Sequence, residues 1–297
     1  MTERQTGRQT GRREESAVET AGETSANGVL TISDLTVAIH GKEILRGVDI
    51  ALRPGQVHGL AGESGSGKTM TGLAVLGLLP HGARTTGRIE LAGRDLLSLP
   101  AKELNAVRGA EVAMVFQDPA TSLHPMLSVG RQLTEHMRHH LRLGRREARE
   151  RAIDLMRKVR IPGPEEAIDR YPHQFSGGMR QRIAIAVALA CSPKVLIADE
   201  PTTALDVTVQ AGILRLLRGL CDDLGLAVLL VTHDLGVMSA VADEVSVMKD
   251  GLVVETGPRG QVLREPRHAY TRALLDALPE NAGAETTGTE PSEGEPA

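Results

Sequence analysis

At 297 residues, 41% hydrophobic and 24% charged, the chain is long enough for one large or two small globular domains with a sizeable core. Its formal net charge of −4 gives no general electrostatic reason to bind nucleic acid, and no nucleic-acid partner is expected. The longest apolar runs, Ile183 to Cys191 and Leu224 to Val231, fall short of the roughly 18 to 20 residues that cross a bilayer.

Residues 1–28 carry a repeated Gln-Thr-Gly-Arg and mixed charges without the apolar stretch of a secretory signal, so a disordered lead and a cytoplasmic protein are expected. From Val29 the pattern alternates with period two. Leu35, Val37 and Ile39, then Val48, Ile50 and Leu52, predict half-buried antiparallel strands. Val57 to Ala61 is a short apolar strand that runs into a glycine-rich turn, and Met70 to Leu79 reads as a helix. The middle of the chain, from Gly130 to about Ala190, is predicted helical: Ala148, Ala152, Leu155, Met156 and Val159 recur at helical spacing, and Pro162 and Pro164 stop the run. Strands at Val195 to Ala198 and Ala227 to Thr232 flank a helix striped by Ile213, Leu216, Leu217 and Leu220, which implies a parallel sheet. Lys249-Asp250-Gly251 between two further strands reads as a closing hairpin. Residues 280–297 hold five glutamates and no basic residue and are expected to be a disordered acidic tail. Cys191 and Cys221 lack metal-ligand spacing and sit in apolar helical patterns, so buried free thiols are expected.

Three stretches carry chemistry. Gly62-Glu63-Ser64-Gly65-Ser66-Gly67-Lys68-Thr69 matches G-x-x-x-x-G-K-[ST] between a predicted strand and a predicted helix. Its glycines let backbone N–H groups turn around phosphate oxygens, Lys68 reaches the β and γ phosphates, and the Thr69 hydroxyl binds Mg²⁺. The apolar strand Val195 to Ala198 ends in Asp199 and Glu200, a metal-directed acid followed by a group able to take a proton from water. Gln117 and His233 follow other strands; each alone is an ordinary surface glutamine or packing histidine. Ser176-Gly177-Gly178-Met179 opens an apolar helix and forms a second phosphate cradle. Since the chain already has one, the second is expected to serve ATP held by another subunit.

In this order the motifs resemble the ATP-binding family of ABC transporters from Val29 to about residue 279. The phosphate loop, Gln117, Ser176 to Met179, Asp199/Glu200, Ala204-Leu205-Asp206 and His233 succeed one another as in that family. Five stretches look like its peptide and nickel importer branch: Val115 to Pro119, Thr121 to Pro125, Tyr171 to Arg182, Asp199 to Thr208 and His268-Ala269-Tyr270-Thr271-Arg272-Ala273-Leu274-Leu275. The resemblance implies an α/β fold of the P-loop NTPase type: a RecA-like parallel core, an N-terminal antiparallel β subdomain and an inserted helical subdomain at about 118–190. It implies Glu200 and His233 as catalytic residues, with ATP as the nucleotide. Mg²⁺ would sit among Thr69, Gln117 and Asp199. It also implies Gln117 linking the metal to the segment Thr121 to Val129, where membrane subunits dock.

The partners implied are two membrane permeases, a second ATP-binding subunit (a paralogue or the same chain) and an extracytoplasmic solute-binding protein. They would hold the chain peripherally at the cytoplasmic face of the membrane. Three departures stand out. Met179 replaces a more common glutamine, His40 is the candidate to stack on adenine where the family has an aromatic residue, and no cysteine follows Cys221, so no iron–sulfur cluster is expected. Peptides are the expected cargo, with nickel as the alternative. An exporter, or a soluble ABC ATPase of DNA repair or translation, are further alternatives; the second lacks here the coiled coils, zinc cysteines or paired ATPase domains it would need. A nickel site at His136, His139 and His140 is set against a solvated basic face with Arg138 and Arg142.

Overall fold

The computed structural model describes residues 28–203 and 205–277, so the expected lead, the acidic tail and Ala204 lie outside the described residues. The chain opens with β1 (Leu30–Ile39) and β2 (Lys42–Leu52), followed by β3 (Val57–Ala61) and α1 (Lys68–Val75). Next come β4 (Ala83–Leu91), β5 (Arg94–Asp95), α2 (Ala101–Val107) and β6 (Val112–Val115). Helices α3 (Pro119–Ser122), α4 (Val129–His140), α5 (Arg145–Lys158), α6 (Pro164–Ala167) and α7 (Gly177–Ala188) separate β6 from β7 (Val195–Asp199). The last part is α8 (Val207–Leu224), β8 (Ala227–Thr232), α9 (Leu235–Val241), β9 (Glu244–Lys249), β10 (Leu252–Pro258), α10 (Arg259–Arg264) and α11 (Ala269–Asp276). No described helix is long and apolar enough to cross a membrane.

Two sheets organise these elements. The first is antiparallel in the order β2-β1-β4-β5; the second runs β10-β9-β3-β8-β7-β6, with β9, β3, β8, β7 and β6 parallel and β10 antiparallel at the edge. β3, β7 and β8 are buried at every residue, which explains why they read as continuous apolar runs rather than alternating ones. β1 alternates, but its phase slips: Leu30 and Ile32 are buried, then Leu35 and Val37. The register shifts between Ile32 and Leu35, and Asp34 takes a positive φ of 47°, so a bulge restores the apolar face to the same side.

Residues 119–188 supply helices whose apolar stripe closes on the core. Leu133, Met137, Ala148, Ala152, Met156 and Ile183 are all fully buried. Cys191 and Cys221 are free and buried; burial pushes the Cys221 thiol up to about 11. Asp250 and Gly251 both have positive φ and form the two-residue turn between β9 and β10. Gly251 donates its N–H to the carbonyl of Ser66 at 2.9 Å and accepts the N–H of Arg46 at 2.9 Å. This turn therefore ties the loop after β3 to the antiparallel sheet.

Candidate functional site

The loop after β3, the ends of β6 and β7 and the turn after β8 all lie at the C-terminal edge of the parallel strands, where ligands of open α/β sheets sit. A cavity of about 770 Å³ opens there. Its lining takes in the loop residues Gly62 to Gly65 and Gly67 to Thr69 together with Gln117, Glu200, Thr203 and His233.

The loop's conformation depends on glycine at two places. Gly62 has φ 148°, and a Cβ there would stand 2.2 Å from the Met248 carbonyl oxygen; Gly67, at φ 109°, caps α1 and would press a Cβ to 2.7 Å from Leu45. Such a turn leaves N–H groups facing one concavity at a helix N-terminus, an arrangement that holds phosphate oxygens. Lys68, only 5% exposed, donates from Nζ to the carbonyls of Gly62 and Glu63, each at 2.8 Å. Burial pulls its pKa down, and the carboxylates of Glu200, Asp199 and Glu63 oppose that pull. The buried Ser66 hydroxyl finds no hydrogen-bond partner among the described residues, although its main-chain carbonyl is bonded. A buried unpaired hydroxyl is costly unless an incoming oxygen or donor meets it.

At the end of β7, Asp199 accepts the Thr69 hydroxyl at 3.1 Å. Burial raises the Asp199 carboxyl, reinforced by the Glu200 charge and opposed by the Thr69 hydrogen bond and Lys68. Glu200 leaves the strand with φ 45°, a left-handed conformation rare outside glycine, fixed by its N–H donating to the Val231 carbonyl at 2.8 Å. Three side chains converge on its carboxylate: Gln117 Nε2 at 2.8 Å, the Thr203 hydroxyl at 3.0 Å and His233 Nδ1 at 2.9 Å. Burial would raise the Glu200 pKa, but hydrogen bonds from His233 and Thr203 and the charges of His233 and Lys68 outweigh it, leaving the group lowered and ionised at neutral pH. The arrangement brings a phosphate-holding loop, a hydroxyl–carboxylate pair and an ionised carboxylate to one cavity.

Of the residues singled out from the sequence, Gly62 to Thr69, Gln117, Asp199, Glu200 and His233 come together here. Ser176, Gly177, Gly178 and Met179 do not line the cavity. Ser176 caps α7 by accepting the Met179 N–H at 3.4 Å, and a Cβ on Gly178 would stand 2.5 Å from Val209 of α8. His40 stands apart from this group. It sits in the turn between β1 and β2 at φ 50°, its ring beside Gly82, and it is not among the cavity's lining residues. The sequence reading missed Thr203, Ile44, Met70 and Leu274, which also line the cavity. Thr203 was detectable as a hydroxyl in the turn just past Glu200, whereas Leu274 comes from a helix far along the chain.

The comparisons agree with this geometry. A family model described as ABC transporter matches residues 45–203, and one described as oligopeptide/dipeptide transporter, C-terminal region, matches residues 254–297. The oligopeptide transport ATP-binding protein OppD of Bacillus subtilis (strain 168) is 46% identical over 265 residues, covering 86% of this chain and 74% of that protein. Among solved structures, cbiO1 from Clostridium perfringens, part of an ABC transporter complex, superposes with a TM-score of 0.72 at 28% identity, covering 86% of this chain and 97% of that one. The dimeric ATP-binding cassette MJ0796, in a post-hydrolysis state with ADP and Pi, superposes with a TM-score of 0.67 at 28% identity over 77% of this chain and 98% of that one.

Proposed function

Because the chain belongs to the ABC transporter family as an ATP-binding, ATP-hydrolysing subunit, we propose that it powers the import of oligopeptides or dipeptides through partner permeases. The match of residues 254–297 to an oligopeptide/dipeptide transporter region favours peptide over nickel as cargo. The observation that carries the catalytic reading is the convergence of Gln117, Thr203 and His233 on Glu200 beside the loop bearing Lys68.

In this reading the loop N–H groups and Lys68 hold the β and γ phosphates, and the Ser66 hydroxyl gains a partner. Glu200, held ionised, accepts the proton of the attacking water. His233 fixes the orientation of the carboxylate and contacts the terminal phosphate, while Gln117 places its amide between the water and the helices that follow β6. Thr69 and Asp199 offer the hard oxygen donors that suit Mg²⁺, with Gln117 nearby; a bound Mg²⁺ would neutralise phosphate charge. Ser176 to Met179 would hold the γ-phosphate of ATP bound by a second subunit, so that ATP draws the two subunits together.

The permeases would dock where Gln117 passes into residues 121–129. A groove of about 470 Å³ lined by Phe116, Leu123, His136 and Val187 opens on that side, and Met126 is 76% exposed. An extracytoplasmic solute-binding protein would deliver the peptide, and the subunit would lie at the cytoplasmic face of the membrane. Purified protein is expected to hydrolyse Mg-ATP, and Lys68→Ala to lose both tight binding and turnover in a titration and phosphate-release assay. Parental activity in Lys68→Ala would overturn the phosphate-loop assignment.

A further inference from the structure

The phosphate loop accounts for one half of a nucleotide; ribose and base need apolar contact. The cavity's apolar side chains, among the described residues, are Ile44 of β2, Met70 of α1 and Leu274 of α11, and no Phe, Tyr or Trp joins them. A nucleotide base presents a flat apolar face to any side chain that excludes water from it.

The position of α11 is set by a chain of specific bonds. Glu255 in β10 accepts the N–H of Arg267 at 2.8 Å and that of His268 at 3.1 Å, fixing the approach to the helix. His268 caps α11, its Nδ1 accepting the Tyr270 N–H at 3.1 Å. The Tyr270 hydroxyl, on a largely buried side chain, accepts the N–H of Glu63 in the phosphate loop at 3.3 Å. Lys249 Nζ stands 4.7 Å from the centre of the Tyr270 ring. Leu274 is one helical turn further on, four residues from Tyr270, and so lies on the same face of the helix. A bond to the phosphate loop at one turn thus carries Leu274 to the cavity wall at the next.

Resting on the nucleotide reading above, we infer that Leu274, with Ile44 and Met70, forms the contact surface for the base and ribose of ATP, so that α11 is part of the nucleotide site. This helix falls within the region matched as the oligopeptide/dipeptide transporter C-terminal region, so the segment that distinguishes the branch also sets nucleotide affinity. Tyr270 is then a positioning residue, acting through Leu274 and Glu63.

The test compares Mg-ATP with magnesium tripolyphosphate, which carries the phosphates and lacks ribose and base, by calorimetric titration of the full chain. Leu274→Asn, which removes the apolar contact without adding charge, is expected to weaken Mg-ATP about three- to tenfold while leaving tripolyphosphate affinity unchanged. Leu274→Phe is expected to bind Mg-ATP at least as tightly as the parent, and His40→Ala to match it. Unchanged ATP affinity in Leu274→Asn overturns the inference, as does an equal loss for both probes, which would make α11 a mere support of the loop. A parent that binds neither probe overturns the nucleotide reading and this inference with it; a parent that binds both, with an unaffected Leu274→Asn, overturns this inference alone.

Discussion

Glu200 is the residue whose position the rest of the site serves. Its left-handed backbone is a local cost, and four bonds compensate it: one from its own N–H to Val231 and three onto its carboxylate. Replacing the carboxylate by the isosteric amide in Glu200→Gln leaves Lys68 and the loop intact and removes the proton acceptor. Turnover should fall by about 10² to 10⁴ while the Kd for Mg-ATP stays within about twofold, read from phosphate release and from titration. Retained turnover would assign the base to another group. Most of this site was legible because its parts are contiguous motifs: Gly62 to Thr69 and Asp199-Glu200 need no knowledge of packing to be found. Leu274 shows the limit. Where its methyl groups end up depends on a helix docked from far along the chain, which leaves no periodic trace.

At the scale of elements, the fully buried strands and the α8 stripe were read correctly because burial on both faces, or on one helical stripe, dictates the residue pattern. β4 escaped because Ile89 and Leu91 are its only buried residues, and Ala83-Arg84-Thr85-Thr86-Gly87-Arg88 shows no apolar alternation. The sequence pattern predicts the first helix at Met70 to Leu79, but it runs from Lys68 to Val75, because the loop's own lysine begins it and Gly77, at φ 59°, ends it. Gly178 teaches a different lesson. Its identity is demanded by the approach of α8, whatever ligand α7 also meets. Gly178→Ala should lower stability by about 1 to 2 kcal/mol, the crowding against Val209 exceeding the gain in helix propensity. In urea denaturation the double variant Gly178→Ala/Val209→Ala should recover most of that loss, and failure to recover would place the strain elsewhere.

For the whole molecule, Ser176 to Met179 do not line the cavity of the phosphate loop, and in the proposed reading they serve a neighbouring subunit. Blocking hydrolysis should therefore trap an assembly as well as slow a reaction. With Mg-ATP, Glu200→Gln is expected to run at twice the subunit mass in light scattering, alone or with its paralogue, and to return to the monomer when nucleotide is removed. A stalled variant that stays monomeric in both settings would remove the role given to Ser176, Gly177 and Gly178. The turn between β9 and β10 bears on how such a chain can vary in length. An exposed polar hairpin tip such as Asp250 is ordinarily a place where a tag or extra residues are accepted. Here Gly251 holds the carbonyl of Ser66 on one side and the N–H of Arg46 on the other, and a Cβ on it would meet the Ile44 carbonyl oxygen at 2.3 Å. Lengthening this tip would shift the phosphate loop itself. Gly144, ahead of α5, meets no atom within 4 Å of an added Cβ. Added sequence is better accommodated there, among the helices that follow β6, than at the hairpin bonded to the phosphate loop.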